Sequence, residues 1–252
     1  MGRLTRSAVW AMSMLAVAPG SMAAVDVAME LMPANNNVAD TASLQRGARN
    51  FMNYCSGCHS AKYVRFNRMG RDLGLSEDQL IDNLMFNAEV PHDTIQRTMR
   101  DDDATRWFGK PPPDLSVTPR SRGIDYVYTF LLTFYLDPDS PTGVDNVLLA
   151  GTSMPNVLWE LQGYQNAIFR KHESEDGDGT ELVFERFEAV TEGSMSPEEF
   201  QSFVRDTVNF LDYMSEPVQL KRRAIGISVM SFLAVFLVLA MMLKKEIWKD
   251  VS

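Results

Sequence analysis

From Thr41 onward, apolar residues return at helical spacing, with Leu44, Ala48 and Phe51 on one face of a stretch that runs straight into Cys55. This period predicts a helix ending at that cysteine. Ser76 with Gln79 three residues later reads as a capping box opening a helix of about ten residues through Phe86. The consecutive prolines of GKPPPDLS, residues 109–116, exclude regular helix because they fix φ and remove backbone donors. An aromatic-rich helix is expected from Ile124 to Tyr135, and DPDSPTG then breaks the chain. AGTSMPN, residues 150–156, reads as a loop. Between Gly163 and Val190, IFRKHES and ELVFERFEAV flank the turn-forming EDGDG and predict a β-hairpin. A second capping box, Ser196 with Glu199 and Pro197 at the first helical position, opens a last helix whose stripe is Phe200, Phe203, Val204, Val208, Leu211 and Met214. Residues 24–40 read as an extended, weakly specified leading segment.

Two stretches fall outside this pattern. Residues 224–243 are twenty residues without a charge, enough helix to cross roughly 30 Å of hydrocarbon. With the flanking Lys221, Arg222 and Arg223 they predict a single membrane anchor over 221–243. At the other end, Arg3 and Arg6 precede a short apolar run and the small residues SMAA, the pattern of a signal peptide over 1–23. Basic residues lie on both sides of the anchor, so the positive-inside rule is nearly balanced. The signal pattern decides the orientation: residues 24–220 on the oxidising side, residues 244–252 as a cytoplasmic tail. The expected fold class is therefore mainly α, one helical domain with a small β-hairpin insertion and one C-terminal transmembrane helix.

Charge sharpens this picture. The chain has 24 Lys and Arg against 33 Asp and Glu, for a net charge of −9. Setting aside Arg3, Arg6, the six cations flanking the anchor, Glu246 and Asp250 leaves 16 against 31, so the exported domain carries −15. Such a field disfavours nucleic acid or an anionic lipid surface as its partner and suits a basic protein. Acidity for solubility alone is the plain alternative. Asp101–Asp103 and ESEDGD are the densest acidic runs, and either reads equally as a solvated loop.

The only cysteines are Cys55 and Cys58, in NYCSGCHSAKYV, with His59 directly after the second. A disulfide here would close a tiny loop and stabilise little. A thioredoxin-like dithiol needs a βαβ setting that the pattern does not offer. Zinc would need more ligands, and only His92 and His172 are spare. The run C-x-x-C-H is the haem c attachment signature: two thiols form thioethers to the porphyrin vinyl groups, and the adjacent imidazole is carried to the iron. Methionine is the common sixth ligand of electron-transfer cytochromes c. Met52, Met85 and Met214 sit in apolar helical patterns that read as packing. Met154, flanked by Gly151, Thr152, Ser153 and Pro155, lies in a loop able to cover a porphyrin face. Met99 is the next candidate and His92 the low-potential alternative. For the haem propionates an arginine fork is suited, and Arg120, with Arg122 beside it, follows the proline-rich loop.

RGARNFMNYCSGCHSAKYVRF, then PPDLS, RSRGIDYVYTFL, a Met–Pro loop and a C-terminal single span after an acidic helix together resemble the cytochrome c1 family, proteobacterial type. The resemblance covers nearly the whole exported domain and the anchor. It implies a class I cytochrome c-like domain with one haem c on Cys55 and Cys58, His59 and Met154 as axial ligands, and Arg120 at a propionate. It also implies a bc1-complex subunit in the bacterial inner membrane, with its haem domain in the periplasm beside cytochrome b. Such a subunit takes electrons from the Rieske iron–sulfur protein and delivers them to a soluble or membrane-bound cytochrome c. A freestanding membrane-anchored c-type cytochrome, or the haem subunit of a terminal oxidase, is the alternative with the same cofactor. A haem-free structural or metal-binding module is the alternative from another class.

Overall fold

The computed structural model describes residues 29–173 and 180–249. The signal-peptide expectation over 1–23 and the EDGDG turn lie outside these residues. The element order is α1 (Thr41–Tyr54), β1 (Ala61–Arg65), α2 (Phe66–Leu73), α3 (Glu77–Leu84), β2 (Thr94–Ile95), α4 (Asp101–Phe108), α5 (Thr118–Arg122) and α6 (Ile124–Leu132). It continues with β3 (Phe134–Leu136), β4 (Val144–Asn146), α7 (Trp159–Gln162), β5 (Gln165–Glu173), β6 (Thr180–Ala189), α8 (Pro197–Ser215) and α9 (Gln219–Ile247). The fold is mainly helical, as the periodicity implies. Among the described residues the strands form three two-stranded antiparallel pairs, β1–β2, β3–β4 and β5–β6.

The frame is the crossing of α1 with α8. Leu44, Ala48 and Phe51 of α1 face Val204, Val208 and Leu211 of α8 in one buried core. Contact this close needs a residue without a side chain: a Cβ on Gly47 would stand 2.0 Å from the Asp206 carbonyl oxygen and 2.7 Å from the Phe210 Cβ. A polar seam fixes the register beside it. Asp206 accepts from Arg46 at 2.6 and 2.9 Å and from the Ser43 hydroxyl at 2.6 Å. Asn209 donates to the Ser43 oxygen at 2.9 Å. Both capping boxes form as expected, Ser76 with Gln79 and Ser196 with Glu199.

Four local readings change. The α3 helix stops at Leu84 rather than Phe86, and Asp101–Asp103 form the first turn of α4, where their charge suits the positive helix end. α6 ends at Leu132, and Phe134–Leu136 pair with Val144–Asn146 instead of continuing the helix to Tyr135. The carbonyl of Leu132 is taken by the side-chain amides of Gln162 and Gln165, and that of Phe134 by Gln165, so distant groups satisfy the chain end. The described part of the leading segment, residues 29–40, forms no strand and is tightly tied to the helices. Ala34 donates its amide to Asp125 at 2.8 Å, its carbonyl accepts from Arg205 at 2.9 Å, and Asn36 donates to Asp212 at 2.8 Å.

α9 runs 29 residues, and among them only Gln219 is buried. It is long and apolar enough to cross a membrane.

Candidate haem attachment site

α1 delivers Cys55 as its C-terminal cap, and a tight turn follows in which the amides of Cys58 and His59 donate to the Cys55 carbonyl at 3.0 and 2.8 Å. Cys55, Cys58 and His59, three of five consecutive residues, are thereby presented together at one helix end. The His59 Nδ1 lies 2.8 Å from the carbonyl oxygen of Pro113. A carbonyl only accepts, so Nδ1 carries the hydrogen and Nε2 keeps a free lone pair, the arrangement of a metal-ligating histidine held by an outer partner. Burial, first, holds the imidazole below its ordinary pKa, with Pro113 opposing, so at neutral pH the ring is uncharged.

The thiols of Cys55 and Cys58 are free and half-buried. Burial pushes Cys55 up to about 12, with Cys58 adding to it. Cys58 is also raised by burial, against a lowering by Arg97. Two neutral thiols and a neutral imidazole in a half-buried turn fit the donor set of a covalently attached haem c. The remaining metal and redox readings find no such support. Among the described residues no three His, Cys, Asp or Glu side chains converge as a metal-binding group, and every strand pair is antiparallel, without a parallel βαβ unit around the cysteines. His92 is exposed, and its carbonyl receives Arg65.

The proline loop is fastened to the motif along its length. Leu115 donates to the Ser60 carbonyl at 2.8 Å, Lys62 to Asp114 at 3.0 Å and Tyr63 to the Ser116 hydroxyl at 3.2 Å. PPDLS thus does more than break a helix: its backbone orients the histidine.

Met154 is half-buried and packs, like Cys55, against the main core. Its loop hangs from β4. Asp145 accepts the amides of Gly151 at 2.8 Å and Thr152 at 3.2 Å, while the buried Asn146 side chain accepts those of Leu148 and Leu149 and donates to the Phe130 carbonyl. The thioether is therefore carried on a braced loop. Met52, Met85 and Met214 are buried as packing residues, and Met99 is half-buried with its amide on the Gly57 carbonyl at 3.0 Å. Arg120 is exposed, its guanidinium 3.8 Å from Glu216, and Arg122 lies over the Tyr126 ring at 5.4 Å. Glu216 is held below the ordinary carboxylate range, first by the hydrogen bond from Arg222. Arg97, Asp145 and Asn146 carry no motif in the sequence, and most of their partners are backbone groups of irregular loops, which residue type does not mark.

A model of the cytochrome C1 family matches residues 34–251. The chain belongs to that family. Cytochrome c1 of Allochromatium vinosum is 47% identical over 237 residues, covering 94% of this chain and 96% of the relative. The ammonia monooxygenase gamma subunit of Nitrosomonas europaea is 42% identical over 213 residues, covering 84% and 85%. Cytochrome c1 of Rhodospirillum rubrum is 26% identical, covering 84% and 83%. As a cytochrome c1-family member the chain is a haem c electron-transfer subunit, and with α9 it is suited to single-pass membrane anchoring.

Proposed function

We propose that this chain accepts electrons from a Rieske iron–sulfur protein and passes them to cytochrome c as part of a bc1 complex in the bacterial inner membrane. In this reading residues 1–23 direct export and 24–220 form the periplasmic haem domain. Residues 221–243 anchor it beside cytochrome b, and 244–252 remain in the cytoplasm. The observation that carries the reading is the Cys55–Cys58–His59 turn, with His59 oriented by Pro113 and its Nε2 left free.

Cys55 and Cys58 would hold the single haem c, His59 and Met154 would be its iron ligands, and Arg120 would meet a propionate, with Arg122 beside it able to exchange roles. When bound, the haem supplies reversible one-electron chemistry between ferric and ferrous iron. The chain's residues do the rest. Pro113 keeps His59 in one tautomer, and Asp145 and Asn146 brace the loop that carries the half-buried Met154. The exposed acidic surface, Asp101–Asp103 on α4 included, steers a basic acceptor.

The test is a stepwise reduced-minus-oxidised spectrum of the tagged chain purified from its own membranes in mild detergent, with ascorbate added before dithionite. A c-type signal with ascorbate followed by a b-type signal with dithionite supports the bc1 reading. A c-type signal with no b haem under any gentle condition moves the assignment to a freestanding carrier or an oxidase subunit.

A further inference from the structure

We propose that Arg97 is a fixed internal cation that raises the reduction potential of the haem site and steadies His59 through the proline loop, with Asp101 as the counter-charge that tempers it. The inference rests on ligation by His59 as proposed above. Arg97 enters between β2 and α4 and is joined to the motif from several sides. Its backbone amide donates to the hydroxyl of Ser60, the residue after His59, at 3.0 Å. Its guanidinium donates to the carbonyl of Pro112 at 2.7 Å and to that of Met99 at 3.2 Å, and its remaining nitrogen pairs with Asp101. Pro112 directly precedes Pro113, whose carbonyl holds the His59 ring. Thr98 and Met99 both donate to the carbonyl of Gly57, between the two cysteines, at 3.2 and 3.0 Å. Arg97 thus ties together the two segments that embrace the attachment turn.

The exposure of the ion pair is unequal. The Arg97 side chain is 15% exposed and that of Asp101 is 74% exposed. Water screens the carboxylate far more than the guanidinium, so the positive field at the motif is only partly cancelled. Ferric haem carries one more positive charge than ferrous haem. A nearby internal cation therefore disfavours the oxidised form, and charge is one of the recognised controls of such potentials.

The experiment is a redox titration of the full-length, haem-loaded chain in detergent for the parent, Arg97→Gln, Arg97→Lys and Asp101→Asn. The ferric methionine–iron charge-transfer band is recorded alongside to report ligation. The expected result is a lower midpoint for Arg97→Gln, a smaller downward shift for Arg97→Lys, and a higher midpoint for Asp101→Asn, with the band retained. The upward shift is the discriminating readout, because loss of a merely structural tie gives no reason for a rise. An unmoved or lowered midpoint in Asp101→Asn overturns the proposal. So does an equal fall in the Gln and Lys variants with ligation intact. Should Arg97→Gln fail to retain haem, the sign of the Asp101→Asn shift decides alone. A parent chain without covalent haem would instead overturn the site reading beneath it.

Discussion

His59 shows how a single residue acquires its role. The sequence places it next to Cys58, but the hydrogen on Nδ1 is set by Pro113, 54 residues along the chain. The Met154 loop depends in the same way on Asp145, which accepts two loop amides as well as that of Asn146. Asp145→Ala should leave the haem attached and weaken the ferric methionine–iron band, a change read directly from the oxidised spectrum. Tyr135 and Tyr213 give a second prediction. Burial, first, and then Asp145 push Tyr135 up to about 12; burial, then Asp72, raises Tyr213 as well. A raised native pKa means that the folded state holds its proton more tightly. The stabilisation is fully present below the unfolded tyrosine pKa of about 10 and is lost as pH climbs from there toward the native value. Denaturant midpoints should therefore hold steady to about pH 9 and fall above about pH 10, and Tyr135→Phe with Tyr213→Phe should flatten that fall.

The elements divide by the range of the forces that end them. Helices opened by a capping box, α3 and α8, were readable because cap and partner are three residues apart. The end of α6 was not, because Gln162, Gln165 and β4 reach it from elsewhere in the chain. α4 was missed since its apolar face is short and buries only Ala104. The α1–α8 crossing carries the sharpest test at this scale. Gly47→Ala places a Cβ against backbone that cannot swing aside, and overpacking of this kind costs about 1–3 kcal/mol. Ser196→Ala, which removes a cap without touching the crossing, should cost about 1 kcal/mol. Thermal melts of the two variants should rank in that order, and equal losses would mean that α1 and α8 do not meet so closely.

The whole molecule joins a haem-binding domain to a helix that the domain scarcely touches. Because α9 buries only Gln219, a chain ending after Leu220 should keep its haem spectrum and melting behaviour while no longer sedimenting with membranes. A collapsed spectrum in that truncation would show that α9 supports the fold. The haem has the opposite standing, since the attachment turn and the Met154 loop rest on the same core. The Cys55→Ser, Cys58→Ser double variant should be unfolded or molten, and a cooperative native-like melt would contradict this. The domain charge of −15 predicts that the rate of acceptor reduction falls as ionic strength rises, in stopped-flow mixing with a basic cytochrome.

Sequence alone determined what neighbouring residues settle among themselves: the two thiols and imidazole of one turn, the two capping boxes, the hairpin, and a charge-free segment long enough for a bilayer. These are legible because their chemistry is complete within a few residues or a simple repeat. Tertiary structure decided the tautomer of His59, the bracing of Met154 by Asp145 and Asn146, the clamp at Arg97 and the close approach at Gly47. The His59–Pro113, Arg97–Ser60 and Gly47–Asp206 contacts join groups tens of residues apart, while the Asp145 and Asn146 bonds span a shorter loop of irregular backbone; a backbone carbonyl, a single arginine or a missing side chain leaves no periodic mark in the chain.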